Sequence, residues 1–292
     1  MLGQLGFVVL AGIKFGVLYA LAALGLVVVH KATKTVNFAH GAFAMLGAFA
    51  SFLMVVSWQW PYWAAYVAIP LVIGLAAAAI ELVILRRLRQ ADMFTVVIAT
   101  VFLGIAISEG FRLTYNTELL AVPSLFSGPP FILAGVIVTR DTAWVIGGAL
   151  LTALACIALF GYGRLGRGMR AMAANMRGAQ LCGYSVDGVY MLAWFLGGVL
   201  AGATGVFIAP VTGVSVDLSI AIITAGFVAG VIGGFDSPRG AIVGGLLLGL
   251  AESLSAAYVS SAMKSCISFL LLFLVLMWRP QGLFPERSGR SV

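Results

Sequence analysis

The sequence predicts an all-α membrane protein: a polytopic helical bundle with about eight to ten transmembrane segments, since one crossing needs roughly 20 apolar residues. Hydrophobic residues make up 62% of its 292 residues, well above the roughly 45–50% of soluble proteins. Charged residues make up only 9%, against about 25% in soluble proteins. So few charges cannot cover a globular surface in water, which excludes soluble folds. The apolar stretches are too long for β-barrel strands, so we expect helices.

Nine apolar segments are separated by polar stretches. They cover residues 5–29, 38–56, 62–85, 93–110, 142–163, 189–211, 219–234, 240–259 and 262–278. We therefore expect one transmembrane domain over residues 1–292. The longest non-spanning stretch, 111–141, contains an apolar run at 131–138 that is too short to cross, and we expect it to form a half-helix.

Basic residues are distributed unevenly between the two sets of connections. With nine crossings, one set holds thirteen Lys and Arg residues and the other holds Arg112, Arg140 and Lys264. The thirteen are Lys31, Lys34, Arg86, Arg87, Arg89, Arg164, Arg167, Arg170, Arg177, Arg239, Arg279, Arg287 and Arg290. Cytoplasmic loops are enriched in Lys and Arg, so we expect the C-terminus inside and the N-terminus outside. A helix broken within the membrane at 30–41 would allow the N-terminus inside.

Small residues spaced four apart predict close helix packing, as at Gly12/Gly16, Gly198/Gly202 and Gly245/Gly249. Without a hydrophobic driving force between helices, small residues let backbones approach. We expect most of these pairs to serve packing within the bundle, and some of them to form a subunit interface.

Two interruptions separate spanning segments. The first break, residues 31–41, reads KATKTVNFAHG, and the second break, residues 233–240, reads GGFDSPRG. Broken helices at membrane depth are tolerated where they are buried or line a water-filled cavity, and transporters use them to bind substrate. A helix starting near His40 would offer N–H groups to a carboxylate. The alternatives are a cytoplasmic turn capped by Asn37 for the first break and an Asp-Ser-Pro cap for the second.

Ionisable residues inside spans are functional candidates because burying them is costly. Lys14, Glu81, Glu109 and Glu252 lie in such positions. Glu81 and Glu109 are expected to reach the interface beside Arg86 and Arg112. Glu252 lies mid-segment, and we expect it either to line a cavity or to form a buried pair between helices.

The segment 164–188 differs from the other connections. Met169, Met172, Met176 and Gln180 fall at helical spacing, with Arg167, Arg170 and Arg177 around them. Methionine suits adaptable contacts with a partner, so the segment is either a docking helix for a cytoplasmic partner or a helix lying on the membrane surface.

Several functional classes lack their sequence motifs. The chain contains no G-x-x-x-x-G-K-[ST], HExxH or GxSxG motif, so it is not expected to bind ATP through a P-loop or to be a metalloprotease or serine hydrolase. Two histidines and three scattered cysteines predict no metal site, and the cysteines are expected to be free thiols.

The sequence resembles the permease subunits of branched-chain amino acid ABC importers of the LivH type. The first half matches in GVLYALAALGLVVVHKATKTVNFAHGAFAMLGAF, of which NFAHG is the most specific part. The second half matches in RAMAANMRGAQLCGYSVDGVY, in GGFDSPRGAIVGGLLLGLAESLSAAYVSS and in the ending WRPQGLFPERS. These motifs occur in order over nearly the whole chain.

The resemblance implies an all-helical subunit that pairs with a second, LivM-like permease, two ATPase subunits that bind ATP and Mg²⁺, and an extracytoplasmic substrate-binding protein. No cofactor is expected in this chain. The pathway residues are expected to be Asn37, Phe38, His40, Gly41 and Glu252. The residues that couple to the ATPases are expected to be Arg167, Arg170, Ala171, Met172, Met176, Arg177, Gly183 and Asp187.

The sequence departs from the family pattern in the coupling segment. Ala174 replaces a residue that is often polar in the family, and segment 164–188 is only loosely similar to the coupling motif of other ABC importers. Relatives carry urea, short amides, other amino acids or aromatic acids, so these substrates are alternatives to leucine, isoleucine and valine. An ion-coupled secondary transporter is a further alternative.

Overall fold

The computed structural model describes residues 2–115, 119–126, 128–133 and 135–284, and within these ranges the chain is almost entirely helical. The helices are α1 Leu2–Thr33, α2 His40–Phe52, α3 Tyr62–Val83, α4 Met93–Tyr115, α5 Arg140–Tyr162, α6 Arg164–Ala174, α7 Met176–Leu181, α8 Val186–Thr212, α9 Leu218–Gly233, α10 Pro238–Tyr258 and α11 Lys264–Trp278. A π-helical turn, Leu53–Ser57, extends α2, and 3₁₀ turns cover Leu85–Leu88 and Ser261–Met263. The predicted all-α class is confirmed.

Each of the nine predicted segments corresponds to a helix. Among the described residues, eight helical stretches are long and apolar enough to cross a membrane, and α9 is an apolar helix of 16 residues. The chain is therefore a multi-pass membrane protein. α1 ends at Thr33, four residues beyond the predicted segment 5–29, and the turn of the first break follows it.

α1 lies at the centre of the bundle. Its residues from Val17 to Val29 are buried, and it packs chiefly on α10 and α8, while α2 lies against α8 and α9 and α3 lies against α8. The glycine spacing explains the close approach of α1 and α10, since a Cβ atom added at Gly16 would lie 2.9 Å from Cα of Leu246. The prediction that these small residues serve packing within the bundle is confirmed for this helix pair.

The two ends of the bundle differ in composition. One end, which we call the basic end, carries Lys31, Arg170 and Arg239, because the last turns of α1 and α5, the helix α6 and the first turn of α10 meet there. Arg89 lies at the same end, where it lines a cavity together with Lys34. The opposite end, which we call the tryptophan end, carries the exposed side chains of Trp58, Trp60 and Trp63. Of the thirteen basic residues, Arg287 and Arg290 lie outside the described residues.

The predicted half-helix at 131–138 is wrong. Phe131–Leu133 (β1) and Val136–Val138 (β2) instead pair as an antiparallel hairpin, with Leu133 opposite Val136. Gly135 adopts a left-handed φ of 80°, which a tight turn requires and a helix excludes. The β-branched residues that follow it favour the strand.

Candidate functional site

The two breaks contact each other at the basic end. Lys34, directly after α1, has a left-handed φ of 59°, and Gly234, directly after α9, has a φ of 103°. The ammonium of Lys34 lies 3.1 Å from Oδ1 of Asp236, and the ammonium of Lys31 donates to the backbone carbonyl of Asp236 at 3.2 Å. Two turns that are far apart in the sequence therefore form one structural unit.

The second break is a helix cap. The hydroxyl of Ser237 accepts a hydrogen bond from the backbone N–H of Gly240 at 3.1 Å, and Pro238 is the first residue of α10. This is the predicted capping turn, with the serine as the capping residue. The C-terminal segment packs on the same turn, because the N–H of Phe284 donates to the carbonyl of Gly233 at 3.0 Å.

The first break returns into the bundle. The helix start predicted near His40 is confirmed, and the His40 ring lies so close to Gly25 that a Cβ added there would be 2.9 Å from Nε2. Gly25 precedes the end of α1 by eight residues, or about 12 Å along a helix. The N–H of Phe38 also donates to the hydroxyl of Thr100, inside α4, at 3.2 Å. α2 therefore begins within the bundle and not at its end.

Asn37 and His40 organise the start of α2. Asn37 is 2% exposed, and its Oδ1 accepts a hydrogen bond from the N–H of Ala39 at 3.0 Å, so its side chain takes up one N–H group ahead of the helix. His40 is fully buried, and neither ring nitrogen has a hydrogen-bond partner among the described residues. A buried polar group without a partner is rare and points to a specific role or a bound water.

A groove between α4 and α9 lies beside this helix start. We call it the α4–α9 groove; it has a volume of about 210 Å³. Phe38, Ser108, Glu109, Arg112, Ser219 and Ile223 contribute to its lining. Glu109 and Arg112 form the predicted pair at 3.2 Å, and Arg112 also contacts Asp217 at 3.2 Å. Sequence reasoning missed Ser108 and Ser219, because single serines in apolar helices carry no distinctive signal.

Gly41 lets α2 reach this groove. A Cβ atom at Gly41 would lie 2.8 Å from Cβ of Ile223 and would collide with the carbonyl oxygen of Ser219. The glycine therefore allows the backbones of α2 and α9 to touch. Of the four predicted pathway residues from Asn37 to Gly41, Phe38 lines the groove and Gly41 contacts α9 beside it, whereas Asn37 and His40 are not among the lining residues.

Glu252 lies apart from them, in a polar cluster between α1, α10 and α11. It is 6% exposed. Its carboxylate accepts hydrogen bonds from Tyr19 at 2.8 Å and Ser268 at 2.6 Å, and it lies 3.0 Å from the ammonium of Lys264. The Lys264 side chain is 39% exposed, so the pair is buried only on the glutamate side. The arrangement agrees with the second of the two expectations for this residue, a pair between helices, and not with the lining of a cavity.

The coupling segment 164–188 forms two helices and not one. α6 ends at Ala174, and the side chain of Asn175 accepts a hydrogen bond from the N–H of Gly178 to cap α7. Met169 and Met172 are 1% and 5% exposed, so these side chains pack inside the chain and do not face a partner. The expectation of one continuous methionine face is wrong, because the capping asparagine starts a new helix.

The remaining coupling residues differ in their exposure and in their contacts. Ala171 is half-buried, whereas Arg167, Met176 and Arg177 are exposed. The guanidinium of Arg170 donates to the backbone carbonyls of Phe160 and Gly161 at the end of α5. Gly183, with a φ of 85°, ends α7 in the left-handed conformation typical of helix C-termini.

Asp187 connects the coupling segment to the turn between α3 and α4. In the first turn of α8, it accepts hydrogen bonds from Arg86 and Arg89, and Arg89 also binds the buried carboxylate of Glu81. Glu81 thus pairs with Arg89 and not, as expected, with Arg86. Burial opposes the charge of Arg89, but the bonds to Glu81 and Asp187 outweigh it and raise the pKa of Arg89.

Within the described part of the chain, no group of three or more His, Cys, Asp or Glu side chains could hold a metal ion, and Cys156, Cys182 and Cys266 are free thiols. Cys156 is buried and the other two are exposed. The candidate site therefore consists of helix ends, the α4–α9 groove and ion pairs.

Comparisons with known proteins agree with this architecture. Residues 8–276 match the family described as "Branched-chain amino acid transport system / permease component". The chain is 31% identical to the high-affinity branched-chain amino acid transport system permease protein LivH of Salmonella typhimurium and 32% identical to LivH of Escherichia coli K12, over 96% of each chain. It is 29% identical to the permease protein BraD of Pseudomonas aeruginosa, also over 96% of each chain. The chain belongs to the family of branched-chain amino acid transport system permeases.

Proposed function

We propose that this chain is the membrane subunit of an ATP-binding-cassette importer for leucine, isoleucine and valine, and that it forms half of the translocation pathway. The observation that carries the proposal is its 31–32% identity, over 96% of its length, to permeases named for high-affinity branched-chain amino acid transport. The breaks next to α2 and α10 support it, since transporters place such breaks along their pathways.

The basic end of the bundle faces the cytoplasm in this proposal. Eleven of the thirteen basic residues of the richer set lie within the described residues, against three in the poorer set, and this asymmetry is typical of cytoplasmic loops. The C-terminus is then cytoplasmic. α1 runs from the tryptophan end to the basic end, so the N-terminus lies outside the cell. The protein itself lies in the plasma membrane.

The α4–α9 groove and the start of α2 form this chain's half of the pathway. The groove combines apolar walls with Ser108, Ser219 and the Glu109–Arg112 pair, which suits a zwitterionic solute with an apolar side chain. α4 is largely exposed along its length. A second, LivM-like permease completes the pathway by covering this face.

ATPase subunits dock on the exposed residues of α6 and α7. Arg167, Met176 and Arg177 are available to a partner, and the chain itself has no P-loop. Two ATPases therefore supply the energy, with ATP and Mg²⁺ bound to them. Movement of α7 is transmitted through Asp187 to Arg86 and Arg89, and so to the start of α4. The substrate-binding protein delivers its ligand at the tryptophan end.

Reconstitution tests the proposal. Proteoliposomes that contain this chain, its partner permease, both ATPases and the binding protein should take up radiolabelled leucine when ATP is present on the ATPase side. Unlabelled isoleucine and valine should compete. Replacing ATP by ADP should abolish uptake. No ATP-dependent uptake of any amino acid or amide would overturn the assignment to ABC importers.

Two alternatives are distinguished in the same preparation. Competition by urea, short amides or aromatic acids, and not by isoleucine, would keep the transporter class but change its substrate. A thermal-shift screen of the binding protein identifies that substrate independently. Uptake that needs no ATPase and disappears with an ionophore would indicate an ion-coupled secondary transporter.

A further inference from the structure

A cavity at the basic end lies between α6 and the ends of three spanning helices. Its volume is about 480 Å³, within the range of small-ligand sites, roughly 300–1,000 Å³. The lining includes Lys31 of α1, Phe160 of α5, Met169 and Arg170 of α6, Arg239 of α10 and Phe284. None of the pathway residues from Asn37 to Gly41 lines it.

The cavity is suited to an anion. Arg170 is held by two backbone carbonyls, which orient its guanidinium but do not neutralise its charge. Among the described residues, Arg239 has no ion-pair partner, and no Asp or Glu lines the cavity. Arg239 also lies in the first turn of α10, where the helix dipole adds positive potential.

An exposed apolar stripe leads from the membrane-spanning part of α5 to this cavity. Leu151 is 70% exposed and Leu154 is 50% exposed, and Ala158 is also exposed. Together with Gly161, a lining residue, they follow helical spacing along one face of α5. From Leu151 to Gly161 the stripe extends over about 15 Å, which is half of a roughly 30 Å hydrocarbon core.

We propose that the cavity binds the headgroup of an anionic phospholipid. The phosphate lies between Arg170 and Arg239, where charge-assisted hydrogen bonds favour it. One acyl chain follows the stripe of Leu151, Leu154 and Ala158. Basic pockets between spanning helices are suited to such headgroups, and the apolar stripe distinguishes a lipid from a soluble phosphate ester. The bound lipid braces α6 against α5 and α10.

Native mass spectrometry of the full-length chain, purified with its transport partners, tests the proposal. The complex is equilibrated with phosphatidylglycerol or phosphatidylcholine, and the retained lipid is counted after delipidation. We expect phosphatidylglycerol to be retained in preference to phosphatidylcholine. Arg239→Gln should weaken its apparent affinity about fivefold, since one basic residue near an anionic lipid contributes a factor of this size.

Control variants separate the site from the general positive charge of this end. Arg279→Gln removes an exposed arginine that does not line the cavity, and it should leave lipid retention unchanged. Arg239 makes no side-chain hydrogen bond with the described residues, so its variant should fold normally. Arg170→Gln should also weaken retention, but it additionally removes contacts to α5.

Three results would overturn the proposal. The first is equal retention of the two lipids by the unmodified complex. The second is unchanged retention in Arg239→Gln, or an equal loss in Arg279→Gln. The third is displacement of phosphatidylglycerol by soluble glycerol phosphate at equal concentration, which would mean that the apolar stripe contributes nothing and that the cavity is a site for soluble anions.

Discussion

The ammonium of Lys34 lies 3.1 Å from Oδ1 of Asp236, so a salt bridge joins the two points at which spanning helices of this chain are interrupted. Their side chains are 56% and 50% exposed, and such a pair contributes at most about 1 kcal/mol to stability. We therefore expect the pair to fix the position of the two breaks relative to each other rather than to stabilise the fold. The first break leads to α2 and the second leads to α10, so the pair can bias the packing of both helices.

Exchanging the two charges tests this relationship. Asp236→Lys places a third ammonium beside Lys31 and Lys34, and we expect transport to fall about fivefold, the factor that corresponds to roughly 1 kcal/mol. The double variant Lys34→Asp with Asp236→Lys should recover most of the uptake measured in proteoliposomes. A double variant no better than the single one would show that the pair has no positional role.

Asp187→Asn is expected to reduce the coupling of ATP hydrolysis to transport. It removes the negative charge that holds Arg86 and Arg89 at the start of α8, while Glu81 still holds Arg89. Asp187 is 48% exposed, so the stability loss should be about 1 kcal/mol or less. The number of leucine molecules carried per ATP should fall severalfold.

Asp92→Asn is the matched control for Asp187→Asn. Asp92 is exposed just before α4, and its side chain accepts a hydrogen bond from the hydroxyl of Thr95. Its variant should keep the ratio of transport to hydrolysis. An unchanged ratio in both variants would remove Asp187 from the coupling path.

Arg170 and Arg177 are expected to act differently, although both lie in the coupling segment. Arg170→Glu sets a carboxylate against the carbonyls of Phe160 and Gly161 and should destabilise the protein by about 1–3 kcal/mol. Arg177 is exposed, so Arg177→Glu should leave thermal unfolding unchanged and lower transport per ATP. Unchanged coupling in Arg177→Glu would contradict the docking role of α7.

Glu252→Gln distinguishes packing from transport. The substitution removes the charge facing Lys264 and one acceptor for Tyr19 or Ser268, and we expect a stability loss of roughly 2–3 kcal/mol. Expression and thermal unfolding should decrease together. Asp92→Asn is the control, because Asp92 is an exposed carboxylate that does not line the α4–α9 groove. Normal stability with lost uptake would place Glu252 in the pathway instead.

Asn37→Ala and His40→Leu test the start of α2. Asn37→Ala removes the acceptor for the Ala39 N–H and should cost about 1 kcal/mol of stability. His40→Leu fills the buried volume without polar atoms, so the fold should be retained while uptake falls if the ring serves the pathway. Normal uptake in His40→Leu would show that the histidine is a packing residue.

Composition and periodicity were sufficient for the fold class and for all nine apolar helices. They failed where a local cap or turn decided the result. Asn175 divides segment 164–188 into α6 and α7, and Gly135 turns the run 131–138 into a hairpin. Asn175 and Gly135 are both visible in the sequence. The helical spacing of the methionines nevertheless favoured a single helix, and the short apolar run favoured a half-helix.

The candidate site was predictable only in part. The start of α2 at His40 and the cap at Ser237 follow from local sequence and were recognised. The pairing of Arg89 with Glu81, the internal contacts of Arg170 and the lining of the α4–α9 groove were not. These contacts join residues whose neighbours depend on how helices pack, and helical spacing does not specify which helix lies opposite.

The sequence by itself determined that this chain is a bundle of spanning helices, which end carries the positive charge, and to which family it belongs. These properties depend on composition, on local backbone preferences and on the order of motifs, and all three are available from the amino-acid sequence alone. Only the tertiary structure decided that Lys34 meets Asp236, that α2 begins inside the bundle and that Glu252 is held by Tyr19, Ser268 and Lys264. Such contacts depend on the close approach of backbones at glycines in different helices, and that geometry is set by the packing of the whole bundle.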